Sequence, residues 1–418
     1  MDQERVTRRC AIEALRAGVP NRDVVRQLPP VQPDVEERFH ALLAAPEAGW
    51  EAGKQAPGLL IEGDFGSGKS HWLEYFQHAA LEAGCVCSRI VISKETPLHD
   101  LAKVYRACAE AALVGDRTGP ALEEIAFSYH SDHAPGYAEL FEWVHRDKGL
   151  DPRFAATLFL FERTTDPELR KRIVSEWTGY PMRVPDLRAA LRDLGEARAY
   201  HVTRPQRVQV IRRFEFLSRF FRSAGYAGWV ILLDEAEMIS KYTLRQRARA
   251  YSHLAQLLGL WKGTAVPGLA GVFTITKDYT GQVLLGRKND LESIPRRLEE
   301  TRDAEYILPA EAGMKAIKGK GIELRPPTRQ QFEEIHRRVQ ALYTSAYGWE
   351  APEIEKGEYL SSTGIRQYIR SWVNTWDLRR LYDYRAEIVA DQVRITYDED
   401  ADLQRETPEE EAPPAVGR

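Results

Sequence analysis

The feature that most constrains this chain is an uninterrupted phosphate-loop pattern near residue 60. Residues 59–62 are typical of a short buried strand, residues 63–70 fit G-x-x-x-x-G-K-[ST], and residues 71–83 continue as a helix with an apolar face. Strand, glycine loop and helix N-terminus follow in the order that a phosphate-binding loop requires. The pattern predicts an α/β domain that binds a nucleotide.

The residue types of this loop explain how it would hold a polyphosphate. Glycines let the backbone bend around the anion, and the helix N-terminus adds the positive end of its dipole. We expect Lys69 to reach the β- and γ-phosphates of ATP and the Ser70 hydroxyl to ligate Mg²⁺. The predicted nucleotide-binding residues are Gly63, Asp64, Phe65, Gly66, Ser67, Gly68, Lys69, Ser70 and His71.

A second strand supplies the acidic residues that accompany such a loop. Five consecutive apolar residues from Trp229 onward indicate a strand buried on both faces, and the run ends at Asp234 and Glu235. We expect Asp234 to hold Mg²⁺ beside Ser70, and Glu235 to activate water as a general base. An acidic turn after a core strand has the same pattern, but an intact phosphate loop upstream disfavours that interpretation.

Composition excludes several classes of protein. The length of 418 residues exceeds one simple domain, and 43% hydrophobic with 29% charged residues is typical of a soluble globular protein. No apolar run approaches the ~20 residues of a membrane span, and the four cysteines lack metal or redox spacing, so we expect a cytoplasmic protein with no membrane partner. The net charge of −4 is no general reason to expect DNA binding.

The patterns along the chain predict a core with helical additions. We expect an N-terminal helical segment at 1–45, a core at 46–310, a lid at 311–398 and a disordered acidic tail at 399–418. A helical insertion at about 115–201 is predicted to contain helices at 137–145, 152–162, 166–177 and 185–194. The predicted strands are residues 59–62, 85–92, 229–233, 271–276 and 304–308, and lid helices are predicted at 328–347, 364–373 and 376–390.

Local basic residues leave a DNA contact open. Residues 204–223 form a predicted amphipathic helix with arginines outside its apolar stripe, and residues 314–321 a lysine-containing loop. The residues predicted to contact DNA are Arg207, Arg212, Arg213, Lys315, Lys318 and Lys320. A solvated helix face explains the arginines equally well. His130 and His133 fit a metal pair, but a polar loop is favoured because no third ligand is placed by the sequence.

Together these motifs resemble those of the AAA+ superfamily of P-loop NTPases, and within it the Orc/Cdc6-like branch. The matching segments are residues 63–70 (Walker A), 231–235 (Walker B), 294–307 (arginine finger and fifth strand) and 376–381 (sensor 2). The resemblance implies a five-stranded parallel sheet with a helical lid. The catalytic roles it implies, beside those of Lys69 and Glu235, are sensor 1 for Thr276, the finger for Arg296 or Arg297, and sensor 2 for Arg379.

A closer resemblance is to the BREX system ATP-binding protein family (BrxD). It is carried by residues 11–21, 63–71, 91–98 and 232–237. It implies a role in bacterial anti-phage defence, with other defence-system proteins and DNA as partners. An arginine finger acting in trans further implies a homo-oligomer.

Three functions are compatible with this pattern. The first is an ATPase whose hydrolysis drives conformational change on DNA or on partner proteins. The second is a slow nucleotide-dependent signalling or scaffold switch that does not bind DNA. The third is a P-loop kinase, which the adjacent pair Asp234 and Glu235 and the arginine of the lid disfavour.

Overall fold

A computed structural model describes most of the chain and contains one six-stranded sheet. The described residues are 3–19, 21–51, 53–115, 121–129, 134–147, 149–196, 198–200, 202, 210–299, 303–354, 364–384, 397–400 and 403–404. The strands are β1 (Leu59–Glu62), β2 (Val86–Val91), β3 (Ala112–Leu113), β4 (Trp229–Asp234), β5 (Leu269–Ile275) and β6 (Gly321–Glu323). Their order is β3-β2-β4-β5-β1-β6, and all neighbours are parallel except β3, which is antiparallel to β2. Strand β5 therefore lies between β1 and β4.

Helices surround this sheet on both faces. Those in the described ranges are α1 (Gln3–Ala17), α2 (Arg22–Gln27), α3 (Pro33–Glu51), α4 (Lys69–Glu82), α5 (Leu101–Glu110), α6 (Ala121–Ser128), α7 (Tyr137–Arg146), α8 (Pro152–Arg163), α9 (Pro167–Thr178), α10 (Val184–Asp193), α11 (Ile211–Ser223), α12 (Leu244–Leu257), α13 (Asp290–Leu298), α14 (Ile307–Gly319), α15 (Arg329–Tyr347) and α16 (Ile365–Tyr382). None of them is long and apolar enough to cross a membrane.

Alternate residues of the central strands enter two different cores. Trp229 and Ile231 of β4 pack in the larger core with α11 and α12, whereas Val230 and Leu232 pack against α3 and α4 on the opposite face. All six residues of β4 are buried. Burial on both faces explains why this strand is an unbroken apolar run in the sequence.

The α/β class is confirmed, but the sheet differs from the predicted five-stranded one. The predicted strand at 304–308 is helical, since a 3₁₀ turn at Ala304–Tyr306 leads directly into α14. The fifth parallel strand is β6, which pairs with β1, and β3 adds an antiparallel edge. The buried residues Ala310, Met314 and Ile317 recur at helical spacing, which explains why this region and the predicted loop are helical as far as Gly319. The last residue of the predicted loop, Gly321, begins β6.

The predicted insertion packs directly on the sheet. Its four expected helices are present as α7, α8, α9 and α10, and Phe154, Phe161 and Trp177 lie in the same core as β4. Arg153 and Glu176, each only 3% exposed, form an ion pair between α8 and α9. His130 and His133 lie outside the described residues.

The N-terminal helices and helices α15 and α16 share a third core. Ile12 and Leu15 of α1 pack with Tyr343 of α15 and with Trp372 and Trp376 of α16. Of the predicted lid at 311–398, helices α15 and α16 pack with α1 and α2, whereas α14 and β6 lie with the sheet. We call α15 and α16 the lid. One continuous helix, α16, runs through the break predicted between residues 373 and 376, because Val373, Thr375 and Trp376 are all buried. Residues 385–390 of the second predicted helix lie outside the described residues.

Four described residues of the predicted tail at 399–418, which are Glu399, Asp400, Leu403 and Gln404, make specific contacts. Leu403 is buried in the sheet core, and the backbone N–H of Asp400 donates to the carbonyl of Lys241 at 3.1 Å. Glu399 forms an ion pair with Arg247 at 3.1 Å. An apolar anchor and an ion pair therefore fix a segment whose composition resembles that of a disordered tail. Residues 405–418 lie outside the described ranges.

Candidate nucleotide-binding site

The phosphate loop joins the C-terminal end of β1 to the N-terminus of α4. Gly66 and Gly68 have φ angles of +78° and +100°, which favour glycine over any other residue. No side chain caps α4 at Gly68, so the first N–H groups of the helix remain available. The buried Ser67 hydroxyl has no partner among the described residues. A concave backbone with available donors is a site for an anion.

The ammonium group of Lys69 folds back over this loop. Its Nζ donates to the carbonyl of Gly63 at 2.8 Å and to that of Asp64 at 3.3 Å. The side chain is buried, because α4 and the loop enclose its stem. The positive charge thus lies at the rim of the loop, where the phosphates of a nucleotide would be.

Ser70 and Asp234 meet between β1 and β4. The Ser70 hydroxyl donates to Asp234 Oδ2 at 2.8 Å, and the Thr274 hydroxyl of β5 donates to the other carboxylate oxygen. A hydroxyl beside a carboxylate is an oxygen donor set of the kind that suits Mg²⁺. Among the described residues no group of three or more His, Cys, Asp or Glu side chains could hold a metal. A cation here would therefore need phosphate and water oxygens as well.

Glu235 adopts a strained backbone conformation directly after β4. Its φ is +63°, and its N–H donates to Asp234 Oδ1 at 3.1 Å and to Thr274 Oγ1 at 3.2 Å. Such strain in a residue other than glycine concentrates at functional sites. Burial, and then the charge of Asp234, raise the pKa of Glu235. A raised pKa makes a carboxylate a better proton acceptor.

Sequence reasoning missed Glu237, a third carboxyl group beside the loop. Burial raises the pKa of Glu237 to about 7, although the charge of Lys69 opposes the shift. Its Oε2 atom is buried with no hydrogen-bond partner in the described part of the chain. A carboxyl group that is partly protonated near neutrality can donate a hydrogen bond instead of adding a third negative charge. The sequence does contain a signal for Glu237, because residues 234–237 have three acidic side chains and not only the pair Asp234 and Glu235.

The lid contacts the phosphate loop through the first turn of α16. A Cβ atom on Gly364 would lie 2.8 Å from the carbonyl carbon of Gly66, so the two backbones are in direct contact. The Arg366 guanidinium lies 5.8 Å from the ring centroid of Phe65. Burial lowers the pKa of Arg366, while the charges of Asp234 and Glu235 oppose that shift. Arg366 is therefore the lid arginine beside the acidic pair.

Arg379, the predicted sensor 2 residue, is not brought to the loop. It lies roughly 20 Å further along the same helix than Arg366, at 1.5 Å per residue. Its guanidinium donates to the carbonyl of Glu353 at 3.4 Å. The sequence predicts a helix boundary near Trp376. The structure has one continuous helix there, and this helix contacts the loop at its N-terminal end, far from Arg379.

The other predicted catalytic residues occupy two different places. Thr276 follows β5 beside the phosphate loop, because Gly63 N–H donates to the carbonyl of Ile275 at 3.1 Å. The Thr276 hydroxyl lies 2.9 Å from that of Tyr397. Arg296 and Arg297 lie near the end of α13, and both are exposed.

A cavity of about 590 Å³ adjoins the loop. It lies between the N-terminal helices, the loop and the lid, and its walls include Leu15, His71 and Ile369. His71, one of the predicted nucleotide-binding residues, donates from Nε2 to the carbonyl of Leu28 at 2.8 Å, and burial lowers its pKa. Neutral His71 thus ties α4 to the N-terminal segment, and the cavity has the size of a small-molecule site.

The contact between Gly364 and Gly66 yields a prediction about affinity. Gly364→Ala should weaken nucleotide binding about tenfold, because overpacking of this kind typically costs ~1–3 kcal/mol. Titration with a fluorescent ATP analogue measures the change. Gly319→Ala is the matched control, since an added Cβ there meets nothing within 4 Å. Equal affinities for the two variants would mean that the contact between Gly364 and Gly66 does not contribute to nucleotide binding.

The comparisons with known proteins agree with this geometry. The sequence model described as BREX system ATP-binding protein BrxC/D matches residues 5–131 and 206–381. The matched regions contain the phosphate loop, the acidic pair and most of α16, and they omit α7 to α10. No curated protein and no solved structure matches the chain. Because the match covers most of the sequence, the chain belongs to the BrxC/D family of ATP-binding proteins of the BREX system.

Proposed function

We propose that this protein hydrolyses ATP as an AAA+ type ATPase of the BREX system. The observation that carries the proposal is the convergence of Lys69, Ser70, Asp234 and Glu235 at one edge of the sheet. Strand β5 between β1 and β4 is the arrangement expected of an additional-strand ATPase. The lid helix on the phosphate loop also supports it.

The residues of the loop would bind the phosphates. Backbone N–H groups at the start of α4 and the Lys69 ammonium group neutralise their charge. Ser70 and Asp234 are the residues that would hold Mg²⁺, which would withdraw charge from the reacting phosphoryl group. The cavity beside His71 is the proposed place of the adenine base, because it adjoins the loop and part of its wall is apolar, including Leu15 and Ile369.

Glu235 is the proposed general base for the attack of water. The water oxygen forms a bond to the γ-phosphorus, the bond from that phosphorus to the bridging oxygen breaks, and Glu235 takes a water proton. Its raised pKa favours this transfer. Thr276 is the proposed partner of the same water, and Arg366 the proposed contact of the γ-phosphate.

A neighbouring subunit would complete the site. Arg296 and Arg297 are exposed, as a finger that acts on the nucleotide of another copy must be. We therefore propose a homo-oligomer in which one of them reaches the γ-phosphate bound by the adjacent chain. An arginine supplied in this way contributes roughly 10³–10⁵ in rate.

ATP turnover should depend on the residues of the loop and on assembly of the protein. Lys69→Ala should abolish ATP binding, and Glu235→Gln should retain binding while abolishing phosphate release. Turnover per chain should rise with protein concentration, and alanine at Arg296 and Arg297 should remove that rise. Phosphate release and analytical ultracentrifugation measure these effects. Turnover that persists in Glu235→Gln would contradict hydrolysis at this site.

Substitution of the two lid arginines, Arg366 and Arg379, should affect ATP turnover differently. Arg366→Ala should lower kcat by at least tenfold, because it removes a charge next to Asp234 and Glu235. Arg379→Ala on the same helix is the control. It should have little effect on kcat, since the Arg379 guanidinium donates to the carbonyl of Glu353 and not to a residue of the loop. Steady-state ATPase assays of both variants decide between them, and the reverse order of effects would restore the role expected of Arg379.

DNA binding is a separate proposal that the contacts support only in part. Arg212 is occupied by ion pairs with Asp147 and Glu215, Lys315 pairs with Glu311, and Arg207 lies outside the described residues. Lys318 and Lys320 remain exposed at the end of α14, and Arg213 is half-buried. We therefore assign the DNA contact to the end of α14.

Charge reversal tests this assignment. Lys318→Glu with Lys320→Glu should weaken binding to duplex DNA. It should also reduce the slope of log affinity against log salt concentration by the contribution of roughly two phosphate contacts. Lys171→Glu, an exposed lysine on α9, is the control. Fluorescence anisotropy across salt concentrations measures both. If wild-type protein shows no binding at low salt, the alternative is a nucleotide-dependent switch without DNA.

A further inference from the structure

The C-terminal strap, which we define as residues 397–400 with 403–404, contacts the segments that follow β4 and β5, next to the proposed catalytic site. Glu399 pairs with Arg247 at 3.1 Å and with Lys288 at 3.6 Å. Leu403 is buried, and the carbonyl of Gln404 accepts from Gln246 at 3.1 Å. These contacts hold the strap at several points, so Tyr397 at its beginning has a defined position.

Tyr397 places its hydroxyl group between two residues that follow β5. The ring meets that of Tyr279 edge-on, with centroids 6.2 Å apart. The hydroxyl donates to the Asp278 carboxylate and lies 2.9 Å from Thr276 Oγ1. Burial, and then the hydrogen bond to Asp278, raise the pKa of Tyr397, so the phenol keeps its proton.

The order of hydrogen bonds follows from the chemistry of the three groups. A carboxylate can only accept, so the single hydroxyl proton of Tyr397 points to Asp278. The oxygen of Tyr397 must then accept, and Thr276 must donate to it. The proton of Thr276 is thereby directed away from the nucleotide, and its lone pairs are left to accept.

We propose that Tyr397 is a positioning residue, and that the relay Asp278–Tyr397–Thr276 orients Thr276 as a hydrogen-bond acceptor for the attacking water. This inference rests on the proposed function. One hydrogen of the water would then point to Glu235 and the other to Thr276, which leaves an oxygen lone pair facing the γ-phosphorus. Without the Tyr397 hydroxyl, Thr276 could rotate and donate to a phosphate oxygen instead, and the water would lose one of its two partners.

Removal of one hydroxyl tests the relay. Tyr397→Phe keeps the ring against Tyr279 and should lower kcat roughly five- to tenfold, the effect of one lost hydrogen bond, with the Kd of ATP unchanged. Tyr382→Phe is the control, because that side chain is 73% exposed on α16. Thermal unfolding of both variants checks that the fold is intact.

A double-mutant cycle distinguishes positioning from a merely structural role. Thr276→Ala should lower kcat as well, and Tyr397→Phe added to it should lower kcat no further. In Thr276→Ser, which keeps the hydroxyl, the Tyr397 effect should remain. Equal losses in the wild-type and Thr276→Ala backgrounds would overturn the relay.

The outcomes also separate this inference from the proposed function. If wild-type protein hydrolyses ATP and Tyr397→Phe has the same kcat, only the relay is wrong. If wild-type protein shows no turnover at any concentration, both the proposed function and the relay fail.

Discussion

The hydrogen bond from Ser70 to Asp234 is the interaction on which the rest of this site depends. It joins the start of α4 to the end of β4, although β5 separates β1 from β4 in the sheet. Thr274 of β5 donates to the same carboxylate and completes the link across three strands. The position of Asp234 in turn sets the conformation of Glu235, whose N–H bonds both Asp234 and Thr274.

Two segments distant in sequence close over this centre. The backbone of Gly364 contacts that of Gly66, and the strap brings Tyr397 to Thr276. Each connects the sheet to a part of the chain with its own anchoring contacts, the third core for the lid and the ion pairs of Glu399 for the strap. Because both segments contact residues at or beside the phosphate loop, movement of either would change the contacts of Gly66 or Thr276.

Local patterns were enough to find the centre of the site. The loop at 63–70 and the acidic pair at 234–235 need only their own spacing and one flanking strand each, and both lie where they were expected. The four insertion helices were also predictable from their apolar periodicity, and α8 and α9 each begin with an Asp-Pro pair. The errors fell where two structures share similar local patterns. The residues at 304–308 have the apolar content of a strand, but Ala310, Met314 and Ile317, buried at helical spacing just after them, are typical of a helix that begins there.

By itself, the sequence determined the α/β class, the phosphate loop, the acidic pair and the family, because these depend on residues close together in the chain. Only the tertiary structure decided that Arg366 lies beside the loop and Arg379 does not, that Glu237 is buried there, and that Tyr397 reaches Thr276. The physical reason is that these contacts join elements more than a hundred residues apart or depend on which end of a helix is buried. Neither hydrophobic periodicity nor motif spacing reports such contacts.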